Sequence, residues 1–252
     1  MPDQPAPAEP VLQRDHISLR GTIRYTSKKP ERLDQERGRE TFQMNVHADG
    51  RRTLIAECEI DDRPSVTRYV VHSLDADWLP TDCFVRLAVG DRFQGTGWFR
   101  FTARAAECES FTAVEGRVSQ QMALDGPCRA FGNHAISGDG LLMHLYDLAR
   151  GPGVDTMDIL LSSPDHRGAT GPLLFAVAMG LEYVGEERIE VAAGTFDALH
   201  FRVVSTPGLP QEHPPYDIWT SADGHYVFLK GEVGGYMKTH YELVEFDRTP
   251  GA

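Results

Sequence analysis

The sequence predicts an all-β chain: an antiparallel meander closing into a barrel or deep half-barrel, with one short helix near residues 139–149. Two observations carry this. Apolar and polar residues alternate with period two in nearly every segment, and turn residues recur at short intervals. A third concerns the exception. One glycine-rich stretch, FGNHAISGDGLLMHLYDLAR (Phe131 to Arg150), breaks the alternation.

Taken in order, the polar, proline-rich start reads as a disordered tail over residues 1–15, ahead of a single domain over 16–247. ISLRGTIRY places Ile17, Leu19, Ile23 and Tyr25 on one face. TFQMNVHADGRRTLIAECEI is a hairpin about an Asp-Gly turn, with Phe42, Met44 and Val46 before it and Leu54, Ala56, Cys58 and Ile60 after it. In VTRYVVHSL, His72 shares a face with Val70 and Leu74. In CFVRLAV, Arg86 shares one with Phe84 and Ala88. RFQGTGWFRFTA puts Phe93, Phe99 and Phe101 together, with Gln94, Trp98 and Arg100 opposite. Gly95 and Gly97 there mark a bend or a close approach of other backbone.

The helix is expected to begin at Asp139, whose carboxylate suits an N-cap, and to bury Leu141, Leu145 and Leu148 against the sheet. Beyond it, MDILLSS, a long run to Val191, FDALHFRVV, YDIWTS, HYVFLK and YMKTHYELVEF resume the alternation. The halves 17–124 and 157–246 echo one another, since Arg68 before Asp82 and Arg202 before Asp217 stand at similar intervals. A fused duplication is one origin of that echo.

Around ERIEVAAGTFDALHFRVV the chain resembles a widespread bacterial family of unknown function with a V-x-A-G-T-F-[DE]-[AT] hairpin. The matching residues are Val191, Ala193, Gly194, Thr195, Phe196, Asp197 and Ala198. The resemblance runs from Leu173 to Phe246 and implies an all-β sheet or barrel. The hairpin is structural, with Ala193-Gly194 turning the chain and Phe196 anchoring it.

A formal net charge of −12 without a dense basic run argues against a nucleic-acid partner. No apolar run is long enough for a secretory core or a membrane helix, so a cytoplasmic protein without a membrane partner is expected. Cys58, Cys83, Cys108 and Cys128 include no C-x-x-C pair and read as reduced thiols on strands. Nucleophile-elbow, phosphate-loop and dinucleotide motifs are missing, so no cofactor is expected; no metal-binding pair occurs either.

What remains is a small, largely apolar molecule inside the barrel. His134 and His144 are the candidate proton-transfer groups, with Asp139 orienting one imidazole and Gly132, Gly138 and Gly140 as loop hinges. Arg86, Tyr216, Trp219, Phe99 and Phe101 are the candidate binding residues. This reads as a cofactor-independent lyase, hydratase, isomerase or cyclase; the alternative is a non-catalytic carrier or sensor. Cavity polarity separates them, because an enzyme needs convergent titratable groups and a carrier needs very few. The reading leaves room for a homodimer.

Overall fold

A computed structural model describes residues 15–61 and 64–250. The N-terminal tail expected from the sequence falls outside these, apart from Asp15. Fifteen strands form a single sheet with meander topology: β1 (His16–Ser27), β2 (Glu36–His47), β3 (Arg52–Ile60), β4 (Val66–Leu74), β5 (Pro80–Val89), β6 (Arg92–Phe101), β7 (Ala105–Thr112) and β8 (Gly116–Ala123) make one arm. The other arm is β9 (Phe131–Gly132), β10 (Gly153–Leu161), β11 (Phe175–Val191), β12 (Gly194–Ser205), β13 (Tyr216–Ser221), β14 (Phe228–Val233) and β15 (Thr239–Thr249). The arms join at the middle, where β1 pairs with β15 antiparallel. Every pairing is antiparallel except the short β9–β10 contact.

The sheet is all-β and barrel-like, but its ladder does not close: β8 and β9 are its two edges. The seam is bridged by chain segment 171–174. Gln120 on β8 accepts from the Leu174 amide (2.8 Å), so its side chain serves where a strand partner would. Gly95 and Gly97 make room for this segment, because a Cβ at either would lie 2.6 or 2.7 Å from Pro172. The close approach expected at these glycines is thus an approach by another segment rather than a strand bend.

Interior positions follow the predicted alternation on most strands. The exception is β6. Leu87 faces Gly95 while Ala88 faces Phe93, so Gln94 is an extra residue in the ladder and reverses the register behind it. Phe93 therefore lies outside, stacked on exposed Phe111 (6.3 Å) and under the Arg86 guanidinium (5.3 Å), while Phe99 and Phe101 point inward. Arg86 is exposed on the same outer face, which corrects its expected interior position: the parity of Val85 and Leu87 faces the core.

The one α-helix among the described residues, α1 (Ile136–Leu142), lies within the curl of the sheet and is followed by two single 3-10 turns, Met143–Leu145 and Leu148–Arg150. It starts three residues earlier and ends sooner than the sequence predicts. Leu141 and Leu145 are buried as expected, while Leu148 is half-buried. The preceding β9 is seated by Phe131, 1% exposed, whose ring packs on Phe99 (4.8 Å) and Phe101 (4.9 Å).

The V-x-A-G-T-F hairpin turns at Ala192-Ala193, between paired Val191 and Gly194, one residue before the expected position. Its amides dock on β15, Ala192 donating to Glu242 and Ala193 to the Leu243 carbonyl. Phe196 is half-buried against Phe246 (6.0 Å). The two echoed Arg–Asp pairs differ in placement. Arg202 and Asp217 are cross-strand partners bonded at 2.9 Å on the outer face, whereas Arg68 points into the barrel and Asp82 lies beside Ser73.

Phe131→Ala should cost about 3–5 kcal/mol, since Phe99, Phe101 and His72 (ring centroid 5.9 Å away) lose one shared partner. Phe111→Ala, on the outer face, should cost under about 1 kcal/mol. Urea denaturation of both variants checks the inside-outside assignment, and equal losses would refute it.

Candidate functional site

The plug formed by β9 and α1 is held by two charged side chains from the opposite arm, and both are interior because of strand parity. Glu40 is in phase with Phe42, Met44 and Val46 on β2 and is 0% exposed. Its carboxylate accepts from the Ile136 amide (2.8 Å), the Ser137 amide (2.8 Å), the Ser137 hydroxyl and the Tyr25 hydroxyl (2.8 Å). The first amides of α1 are thus satisfied by a residue nearly a hundred positions away. The residue before the helix, Ala135, offers no side-chain cap.

Arg68, in phase with Val66 and Val70 on β4, is 4% exposed. Its guanidinium donates to the carbonyls of His134 (2.5 Å), Arg167 (2.9 Å) and Gly168 (2.9 Å), tying the plug to the loop after β10. Asn133 completes the seat. Its amide nitrogen reaches His72 Nδ1 (3.0 Å) and its oxygen accepts from the Ala135 amide (3.0 Å).

The glycines in this stretch are packing residues rather than hinges. None of Gly132, Gly138 and Gly140 has positive φ. A Cβ on Gly138 would meet the Asn133 side-chain oxygen at 2.4 Å, and one on Gly140 would meet the Tyr226 carbonyl at 2.8 Å. They let α1 sit against its neighbours.

Beneath the plug lies a cavity of about 140 Å³. Its apolar wall includes Ile60, Leu142, Ile159, Val177, Met179 and Ile218, and its polar groups include Tyr25, Arg68, His134, Asp139, His213 and Tyr216. The polar side forms a file of rings from the surface inward. Tyr236 touches His166 (3.1 Å between Oη and Nε2), and ring centroids then step from His166 to His213 (6.1 Å), Tyr216 (5.6 Å), Tyr241 (5.9 Å) and Tyr25 (5.1 Å). Tyr25 ends the file on Glu40.

Of the residues singled out from the sequence, His134, Asp139 and Tyr216 come together at this cavity. The other candidates lie elsewhere. His144 leaves the opposite side of the plug: its Nδ1–H donates to the Leu141 carbonyl (2.6 Å) and its ring stacks on Trp78 (5.3 Å). The two imidazoles therefore do not share a pocket. Trp219 is on the outer face, stacked on His200 (4.1 Å) beneath Lys230 and donating to Glu187 (2.7 Å), because its parity opposes Tyr216 and Ile218. Phe99 and Phe101 support Phe131 and do not reach the cavity.

Asp139 is not a cap. It sits in the first turn of α1, facing Tyr216, and burial together with the nearby Glu40 charge raises its carboxyl to about 8. It is therefore mostly protonated at neutral pH, a donor rather than an anion. Burial and the Arg68 charge push His134 down to about 3, and burial holds His72 and His213 near 4, so all three rings are neutral. His134 has left-handed backbone (φ 62°), uncommon for a residue other than glycine, and lines the cavity just after β9. Two buried polar atoms of the lining, His134 Nε2 and the Tyr216 hydroxyl, have no well-formed hydrogen bond within the protein. Among the described residues, no three His, Cys, Asp or Glu side chains are grouped to hold a metal ion.

Sequence reasoning missed Glu40, Arg68 and His213. For Glu40 and Arg68 the signal was present, as each is a charge on the apolar parity of its strand. For His213, in the loop before β13, no local pattern exists.

These shifts set opposite pH dependences. The unfolded chain protonates histidine near 6.5 while the folded chain resists to about 3 or 4, so stability falls as pH drops through that window. Asp139 works the other way. The folded state holds its proton up to about 8, whereas the unfolded carboxyl loses it near 3.9, so this residue removes stability as pH rises between those values. Relative to wild type, Asp139→Asn should gain stability steadily from about pH 4 to about 8 and then level off. A difference that stays flat from pH 4 to 9 in urea titrations would place the carboxyl in solvent.

No described protein family matches the sequence, and no curated protein matches it. Among solved structures it is similar to a β-barrel-like protein of the domain of unknown function DUF1849 from Brucella abortus. The TM-score is 0.58 at 10% identity, over 95% of this chain and 100% of that one. A candidate lipoprotein from Parabacteroides distasonis aligns at a TM-score of 0.35 and 9% identity, over 91% and 95% of the chains. A candidate exported protein with a YmcC-like fold from Bacteroides fragilis aligns at 0.33 and 8%, over 93% and 96%. Neither of these two scores supports an argument. The Brucella protein shows a shared fold, all-β and barrel-like, in a bacterial protein of unknown function; the hairpin family suggested by residues 191–198 is not identified by it.

Proposed function

We propose that the protein binds a small, largely apolar molecule in the cavity beneath α1. One observation carries this reading: an apolar chamber whose lining includes two buried polar atoms, His134 Nε2 and the Tyr216 hydroxyl, with no well-formed hydrogen bond, the nearest group to the hydroxyl being the Asp139 carboxyl. Buried polar groups are nearly always satisfied, so such atoms call for a partner from outside the chain. The size fits. A dry engineered cavity of about 150 Å³ accepts a benzene ring, and this one has a comparable volume at about 140 Å³. Because His134 is neutral and Asp139 mostly protonated, the chamber presents dipoles and donors along its polar side. A ligand with an acceptor oxygen on an apolar body matches it.

A second reading has one observation in its favour. Burial raises Asp139 to about 8, close to the working range of a general acid, and it stands beside Tyr216 in the cavity lining. With His134 as the neutral partner, that pair could move a proton on a bound carbonyl compound. The catalytic reading thus keeps Asp139 and His134 and drops His144.

A neutral ligand distinguishes the cavity from the surface. 2-Octanone, which only accepts hydrogen bonds, should bind saturably by calorimetry and raise the melting temperature. Val177→Phe should abolish binding by filling the chamber while circular dichroism stays β-rich, and Tyr216→Phe should weaken it by about 1 kcal/mol. Binding that survives Val177→Phe unchanged would put the ligand elsewhere. If a turnover substrate is found, Asp139→Asn should lower its rate by about two to four orders of magnitude and leave affinity within severalfold.

A further inference from the structure

We propose that the cavity's natural ligand is an amphipathic monoanion, its apolar body in the chamber and its charged group held outside by Lys29 and Arg167. This rests on the binding reading above and names the class of ligand.

The observation is a second concavity that borders the first. A polar vestibule of about 260 Å³ shares His166, Arg167 and Met237 with the chamber. Among the described residues its lining brings together Lys29, Arg37 and Arg167, and includes no aspartate or glutamate. In a chain of formal net charge −12, Lys29 and Arg167 at one opening run against the average field, and such a mouth concentrates anions.

The cations are positioned by different means. Arg37 is buried, with Nη1 donating to the Thr239 hydroxyl and Nη2 to the Asp61 carbonyl (3.5 Å). Arg167 has its backbone carbonyl pinned by Arg68, and its half-exposed side chain reaches Asp165 through Nε alone (3.4 Å). Its terminal nitrogens are thereby left for a ligand. Asp165 spends its carboxylate on the amides of Arg167 (3.0 Å) and Ala169 (3.3 Å), so it stands behind the loop and outside the vestibule lining. Lys29 approaches from the turn after β1. Gln211 and the Tyr236 hydroxyl add neutral polar groups.

The order of polarity fixes the ligand's orientation. Moving inward from the cations, the walls become Leu209, Met237, Ile218 and Val177, with Tyr216 and Asp139 on the polar side. A charged group at the inner end would meet a protonated carboxyl and neutral rings; at the outer end it meets Lys29, Arg167 and solvent. A ligand body of about six to eight carbons fills a chamber of this size.

Calorimetry at low salt with octanoate, 1-octanol, octylamine and acetate tests this. Octanoate should bind at least about tenfold more tightly than 1-octanol, and octylamine and acetate more weakly than either. Lys29→Gln/Arg167→Gln, at positions outside the core, should bring octanoate down to the level of 1-octanol without changing 1-octanol itself. Added NaCl should do the same. Equal affinity for octanoate and 1-octanol in the wild type, no effect of the double variant, or acetate binding as tightly as octanoate would each overturn the anionic assignment while leaving the cavity reading intact. If none of the eight-carbon probes binds, the cavity reading falls and this inference falls with it.

Discussion

The Glu40 carboxylate inside the barrel is the contact on which the rest of the site depends. A seven-residue helix with two glycines and no local cap has no stability of its own in water. It exists here because a buried anion meets its first two amides and two hydroxyls at once. Burying a carboxylate is costly, and four donors with a helix N-terminus are the sort of environment that offsets the cost. Arg68 does the corresponding work for the loops, spending its guanidinium on three backbone carbonyls. One arm of the sheet thus supplies both charges, and the segments they organise belong to the other. Five residues bounding the cavity (Gly132, His134, Ile136, Asp139 and Leu142) lie on the plug so held, so the chamber's shape follows from these two contacts.

The same burial decides the chemistry available. Without solvent, His134, His72 and His213 stay neutral, and Asp139 keeps its proton in the field of Glu40. The inner polar side of the chamber is therefore a set of dipoles, the buried charges of Glu40 and Arg68 being already engaged and Arg167 standing where chamber and vestibule meet. An arrangement of this kind suits oxygen on an apolar body. In the proposed binding mode charge recognition falls to the vestibule, where solvent screens the cations and lowers the cost of holding them together.

Closure of the sheet uses side chains where a regular barrel would use a ladder. Gln120 stands in for a strand partner at one edge, and Gly95 and Gly97 let Pro172 pack on β6. The extra residue at Gln94 lies nearby, and it turns Phe93 outward just before the strand dips under the seam. The two arms are thus joined by hydrogen-bonded strands at β1–β15 and by packing on the far side.

The sequence by itself determined the strands, their faces and the presence of a plug, because period-two alternation is a local property and each strand's pattern records which side meets the core. It also marked His134, Asp139 and Tyr216. It misjudged Phe93 and Arg86, since a single bulged residue reverses parity and parity alone does not say which face of a strand is buried. The helix boundary escaped it for a different reason: a cap at Asp139 is a local pattern, whereas the real cap is a carboxylate on β2, brought near only by the fold. His144 and Trp219 were chemically plausible and spatially elsewhere. Which polar groups converge, and whether they carry charge, depends on distance and on exclusion of water. Tertiary structure alone decided both, because each is a property of the space between segments.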